Sequence, residues 1–205
     1  MKALLQSSVV ALALFSSSLV SAQAVVGQPA PVFTSVNTLG QAVSLSQFKG
    51  KYVVMEWFNP DCPYTQGHYE SGNMPAVQKY ATDKGVVWLS VNTTDEPAKT
   101  AQVATALTAW MKSKKSSSTA TLVDADGKIG RAYGARTTPH MFMIDPQGKL
   151  IYAGAIDSKV PSSPADIASA TNYVRQGLDE ILSGKMISQA VTKPYGCSVK
   201  YSKAG

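Results

Sequence analysis

Cysteine is scarce in these 205 residues: there are two, Cys62 and Cys197, far apart in the chain. One bridge is the most the chain can form within itself, and in an oxidising compartment one structural disulfide is the plain expectation. Closing so long a loop would stabilise the fold by about 4–5 kcal/mol on the chain-entropy model. Clustered positive charge is also missing. The formal charge is +6, yet apart from Lys112-Ser113-Lys114-Lys115 the lysines are scattered, and no basic stripe alternates with aromatics. A mildly basic surface follows, and no nucleic-acid partner is expected. Beyond the N-terminus no apolar run is long enough to cross a bilayer. No internal repeat or linker divides the chain.

The N-terminus reads differently from the rest. Lys2 supplies a positive start, Val9 to Val20 an apolar core diluted by serines, and Ala22-Gln23-Ala24 a small-x-small cleavage site. Residues 1–24 are therefore expected to be a secretory signal peptide, too short and serine-rich for a membrane span, and the bacterial periplasm is the expected destination. After cleavage no membrane association is expected. Residues 25–185 read as one domain and residues 186–205 as a tail carrying Cys197.

The stretch Tyr52 to Thr65 organises that domain. An apolar, β-branched run interrupted only by Glu56 meets a turn at Asn59-Pro60-Asp61 and then Cys62-Pro63. This predicts a buried strand delivering Cys62 to the first turn of a helix, with Pro63 at the position whose missing N–H is not needed. A thiol there feels the positive end of the helix dipole, which favours thiolate. Asp61 beside it works the other way.

Before this stretch, two short strands joined at Leu39-Gly40 are expected. After it, residues 65–84 read as helical with a break near Gly72 to Pro75, where Pro75 either kinks one helix or begins a second. A second apolar strand follows over Val86–Asn92, and a helix ends near Ser113 with Val103, Leu107 and Trp110 inward. Ala120–Asp124 reads as a strand, Ile129–Tyr133 as a short helix, and His140–Asp145 with Lys149–Ile156 as a hairpin. One long last helix is predicted from Ser163-Pro164 to Gly184. The pattern implies an α/β fold with a mixed sheet and helices on both faces.

These residues resemble the redoxin family, which joins alkyl hydroperoxide reductase/thiol-specific antioxidant proteins to thioredoxin-like periplasmic thiol-disulfide oxidoreductases. The resemblance lies in Val26-Gly-Gln-Pro-Ala-Pro-Val-Phe33, Leu45-Ser-Gln-Phe-Lys-Gly-Lys51, the strand leading to Asn59-Pro-Asp-Cys62-Pro63, and Asp145-Pro-Gln-Gly-Lys-Leu-Ile-Tyr-Ala-Gly154. It covers roughly residues 25–157 and implies a thioredoxin-like fold with an N-terminal β extension. It further implies that Cys62 is the attacking cysteine and that Thr138-Pro139 is a cis-proline loop facing it. Arg136 stands three residues before that proline, and Glu56 takes the place of a buried carboxylate. Pro63, Thr138 and Pro139 are the expected substrate-bordering positions.

Two departures limit the carry-over. The fourth position of the motif that Cys62 opens is Thr65, so a local Cys-x-x-Cys switch is impossible. Peroxiredoxins need Pro at 55 and Thr at 59, where this chain has Met55 and Asn59. The expected activity is thiol-dependent oxidoreduction, with Cys62 attacking a disulfide or a hydroperoxide and a periplasmic thiol reductant or disulfide-bearing protein as partner. A buried Glu56 would relay a proton, and Arg136 would stabilise a thiolate or peroxide oxygen. Cys197 is a resolver, a permanent tether or a link to a second subunit; these stay open, as does oligomeric state. No cofactor or metal is expected. The rivals are a copper-handling protein using Cys62, Cys197 and His68 or His140, and a non-catalytic domain with a structural disulfide.

Overall fold

The computed structural model describes residues 23–94 and 97–201. The expected signal peptide therefore lies outside the described residues except for its last two positions. In chain order the strands are β1 (Thr34–Asn37), β2 (Ala42–Ser44), β3 (Val53–Trp57), β4 (Val87–Thr93), β5 (Ala120–Asp124), β6 (Thr137–Thr138), β7 (His140–Ile144), β8 (Leu150–Gly154) and β9 (Cys197–Ser198). The helices are α1 (Pro63–Glu70), α2 (Asn73–Asp83), α3 (Thr100–Ser113), α4 (Lys128–Tyr133), α5 (Pro164–Ser169) and α6 (Tyr173–Leu182).

A seven-stranded sheet runs in the order β2-β1-β5-β4-β3-β7-β8. Strands β3, β4 and β5 are parallel neighbours, while β7 and β8 close one side antiparallel and β1 and β2 the other. This is the thioredoxin-like arrangement that the resemblance implies, with β1 and β2 as the N-terminal extension. Strand β3 is buried along its whole length because it lies inside the sheet with both faces covered. Alternation sends Val53, Met55 and Trp57 into a cluster with Ile129 and Tyr133 of α4. Val54 and Phe58 join the opposite cluster, with Tyr69 of α1, Val77 of α2, Leu107 of α3 and Leu178 of α6.

Two local outcomes differ from, or decide between, the sequence expectations. Pro75 begins no kink: it sits in the first turn of α2, where its absent N–H breaks no helical bond. The single last helix is two helices. Ala170 leaves α5 in an extended conformation, Thr171 exchanges hydrogen bonds with Ser158, and the Asn172 side chain caps α6 by accepting from Arg175 N–H at 2.8 Å. The break binds the segment after β8, and Asp157 and Asn172 form an isolated antiparallel bridge there.

Candidate active site

Cys62 caps α1, and Pro63 is the first residue of that helix. The approach is built locally: Asn59 Oδ1 accepts from Asp61 N–H at 3.0 Å, and Gln66 donates to the Pro60 carbonyl at 2.8 Å. Cys62 therefore sits at the positive end of the helix dipole, while its side chain makes no cap hydrogen bond. Cys62 itself is 1% exposed, whereas Pro63 is on the surface.

Across from it the Thr138–Pro139 peptide bond is cis. Cys62 Sγ lies 3.0 Å from the Thr138 carbonyl oxygen. Cys62 and Cys197 form a disulfide, with Cα atoms 5.8 Å apart. Cys197 arrives on β9, which pairs antiparallel with β6 in the register Thr138 to Cys197 and Thr137 to Ser198. Val199 N–H extends the pairing to the Arg136 carbonyl at 2.9 Å. Within the tail, read from sequence only as the segment carrying Cys197, residues 197–198 form a short strand laid along the cis-proline loop.

Glu56 is fully buried. Oε1 accepts from Tyr69 at 2.9 Å; Oε2 accepts from Gln78 at 3.0 Å, Trp88 at 2.9 Å and Ser90 at 3.0 Å. Burial raises its pKa above 4.5, against the lowering effect of those four donors. The network reaches α1 at Tyr69, about two turns along the helix from Cys62. Arg136 is exposed, and its guanidinium makes no hydrogen bond or ion pair among the described residues. Its backbone N–H donates to His140 Nδ1 at 3.2 Å.

The sequence pattern of the AhpC/TSA family matches residues 26–153, more than half of the chain. The chain belongs to the AhpC/TSA family. Curated relatives include the thiol:disulfide interchange proteins DsbE of Pseudomonas aeruginosa, 26% identical over 141 residues, and of Yersinia pestis, 27% identical over 142 residues. These matches cover 67% of this chain in each case, and 71% and 69% of the relatives. Among solved structures, protein SMc02350 of Sinorhizobium meliloti superposes with a TM-score of 0.74 at 22% identity, covering 89% of this chain and 98% of its own. A conserved protein of Geobacillus kaustophilus gives 0.73 at 21% identity, covering 88% and 94%. These structures share the fold, and the relatives place this AhpC/TSA member among thioredoxin-fold proteins with a thiol-dependent redox role.

A buried polar chain that sequence reasoning largely missed lies beside the thiols of this AhpC/TSA domain. Asn172 donates to Asn73 Oδ1 at 3.2 Å, which turns the Asn73 amide NH₂ toward His68 Nδ1 at 2.8 Å. The His68 proton is thereby assigned to Nε2, which faces the Tyr195 hydroxyl at 2.8 Å; that hydroxyl donates to Asp157 Oδ1 at 2.6 Å. His68 was singled out in the sequence, but Asp157 and Tyr195 carried no signal beyond the closeness of Tyr195 to Cys197. Among the described residues no group of three or more His, Cys, Asp or Glu side chains is placed to hold a metal. Both ring nitrogens of His68 are occupied, and His140 turns Nδ1 to the Arg136 backbone, so the copper set of Cys62, Cys197 and a histidine is not assembled here.

Burial lowers the His68 imidazole from 6.5 to about 4. Burial, and then the charge of Arg136, lower His140 to about 3. An imidazole held neutral in the fold takes up its proton on unfolding, so its contribution is present above 6.5 and is lost as pH falls toward 4. Relative to His68→Gln, the protein is expected to lose about 3 kcal/mol of stability between those pH values. Urea midpoints of the two proteins measured at matched pH check this. Taking the difference cancels the raised carboxyls of Glu56 and Asp124, which act in the opposite sense and do not touch His68. A difference that does not change with pH would refute it.

Proposed function

We propose that this chain is an exported, periplasmic thiol-disulfide oxidoreductase whose two reacting sulfurs come from separate elements. Cys62 is the attacking thiolate at the start of α1, and Cys197 on the tail resolves it. The observation that carries the reading is the Cys62–Cys197 bridge, seated between the N-terminus of α1 and the cis-proline loop.

The steps balance as ordinary exchange. The Cys62 thiolate attacks one sulfur of a substrate disulfide, forming a mixed disulfide and releasing the other sulfur as thiolate, which takes up a proton. Cys197, deprotonated, attacks Cys62 Sγ and frees the second substrate sulfur. The substrate has gained two electrons and two protons, and an external dithiol reductant returns them to the Cys62–Cys197 bridge.

A protein disulfide suits the site better than a hydroperoxide. The polar atom beside Cys62 Sγ is the Thr138 carbonyl, an acceptor, which offers no donor to the oxygen on which charge develops when a peroxide is cleaved. Position 59 is Asn, its side-chain oxygen is turned to the Asp61 N–H, and the Arg136 guanidinium is solvent-exposed. The edge of β6, by contrast, pairs with extended backbone, as the tail itself illustrates. Pro63, Thr138 and Pro139 form the border that such a strand would meet.

The test follows thiol loss from reduced protein offered either hydrogen peroxide or an oxidised protein disulfide. The disulfide is expected to react faster than free cysteine would, and the peroxide no faster. Fast peroxide consumption with the bridge as product would overturn the choice of substrate. No reaction above free-cysteine rates with either oxidant would overturn the enzyme reading.

A further inference from the structure

The tail is anchored further out by Thr192, which accepts from Ala155 N–H, and by Tyr201, which donates to the Ala135 carbonyl. Beside the thiol site three contacts matter, and the disulfide is one of them. The second is the β6–β9 pairing, which requires an unusual residue just before the cysteine. Gly196 has φ +127°, and a Cβ there would collide with the Thr138 carbonyl. A bare backbone lets the strand lie flat on the cis-proline loop.

The third contact is Tyr195. Its ring meets Tyr64 edge-on at 5.9 Å, and its hydroxyl enters the recess between His68 and Asp157 described above. Those two side chains are 0% and 1% exposed. His68 Nε2 and Asp157 Oδ2 are 3.8 Å apart, and Oδ2 has no hydrogen-bond partner among the described residues. A buried carboxyl and a buried imidazole are costly unless a polar group fills the space between them. The only occupant in the described structure comes from the tail, two residues before the reacting cysteine.

We propose that the His68–Asp157 recess is a binding site for the tyrosine hydroxyl of an extended Tyr-Gly-Cys strand, filled in the oxidised protein by Tyr195, and that this latch governs how readily Cys197 closes on Cys62. The proposal deepens the preceding reading, resting on it only in taking Cys62 and Cys197 as the reacting pair. Two glutathione thiols open the bridge in balanced steps. The first forms a mixed disulfide with Cys62 and leaves Cys197 as a thiol; the second releases Cys62 and departs as glutathione disulfide. While Tyr195 stays docked, Cys197 remains over Cys62 and the bridge re-forms readily. When the tail lifts, β6 and the recess together accept a strand of the same form from another protein.

Two measurements test this on the full chain. In glutathione redox buffers, Tyr195→Phe keeps the ring but removes the hydroxyl, and the effective concentration of Cys197 at Cys62 is expected to fall roughly 10- to 100-fold. The second uses Cys197→Ser as a fixed receptor for the peptides Lys-Pro-Tyr-Gly-Cys-Ser-Val and Lys-Pro-Phe-Gly-Cys-Ser-Val. Both compete against the same tail, so their ratio isolates the hydroxyl, and the tyrosine peptide is expected to form the more stable mixed disulfide with Cys62 by about tenfold. Equal peptides, or a Tyr195→Phe bridge as strong as the wild-type one, would overturn the latch. Both readouts concern the bridge and the peptide alone, so they do not depend on whether any protein disulfide turns over.

Discussion

Cys62→Ser is expected to abolish disulfide exchange, while Cys197→Ser is expected to stop the reaction half-way. A hydroxyl at position 62 stays protonated where a thiol at a helix N-terminus is favoured as thiolate, and no other sulfur can replace it, because Cys197 is the only other cysteine. Cys62 is also the sulfur seated against the cis-proline loop, where an extended substrate would lie. Cys197→Ser keeps this attacking sulfur but removes the resolver held on β9. A mixed disulfide should accumulate to about one equivalent, with turnover at least ~100-fold lower, since the lost partner acted from within the molecule at high effective concentration. Mass spectrometry of the trapped species and the steady-state rate check both halves. Turnover retained in Cys62→Ser would refute the assignment. So would a Cys197→Ser protein that turns over at the wild-type rate, which would reduce Cys197 to a tether.

Glu56→Leu is expected to be among the most destabilising single substitutions in the chain. It leaves donors on Tyr69, Gln78, Trp88 and Ser90 facing an apolar side chain deep in the fold. Each orphaned buried donor costs about 1–3 kcal/mol, but Tyr69 can still turn toward Met111 Sδ, and Gln78 still donates to the Tyr69 oxygen. A net loss of roughly 3–5 kcal/mol follows, a large share of the stability of a typical domain. Denaturant unfolding measures it, and a loss below about 1 kcal/mol would show that the network relaxes freely.

Glu56→Gln separates shape from charge. Because burial raises the Glu56 pKa in the fold, the native state holds a proton that the unfolded chain gives up above 4.5. The stabilisation from protonated Glu56 is therefore complete below 4.5 and is lost as pH rises through the folded value. Stability of Glu56→Gln relative to wild type should accordingly improve as pH rises. The proton-relay role proposed for Glu56 has its own readout, the pH profile of exchange at Cys62 in the same variant. Every described hydrogen bond of the carboxylate goes to Tyr69, Gln78, Trp88 or Ser90, so the stability effect is expected to be the larger of the two.

Much of this arrangement was legible because it is encoded locally. The apolar run through Val53–Trp57, interrupted only by Glu56, the Asn59-Pro60 turn and Pro63 at the first helical position together determine a buried strand that delivers Cys62 to a helix start. The Asp145–Gly148 turn likewise determines the β7–β8 hairpin. Periodicity carries no information about a helix that stops in order to pair with a distant segment. The break at Ala170–Asn172 was therefore hidden, since it depends on Ser158 and Asp157 across the fold.

The same limit applies more strongly to the tail. By itself the sequence determined that Cys62 has no local partner, because Thr65 occupies the fourth position of the motif, and that Cys197 is the only other cysteine. Which face the tail covers, that it covers it as a strand, and that Tyr195 finds His68 and Asp157 were decided only by the tertiary structure. Those contacts join residues 38 to 127 positions apart. A backbone edge, a bare glycine and a buried hydroxyl pocket acquire meaning only when folding brings them to the same place.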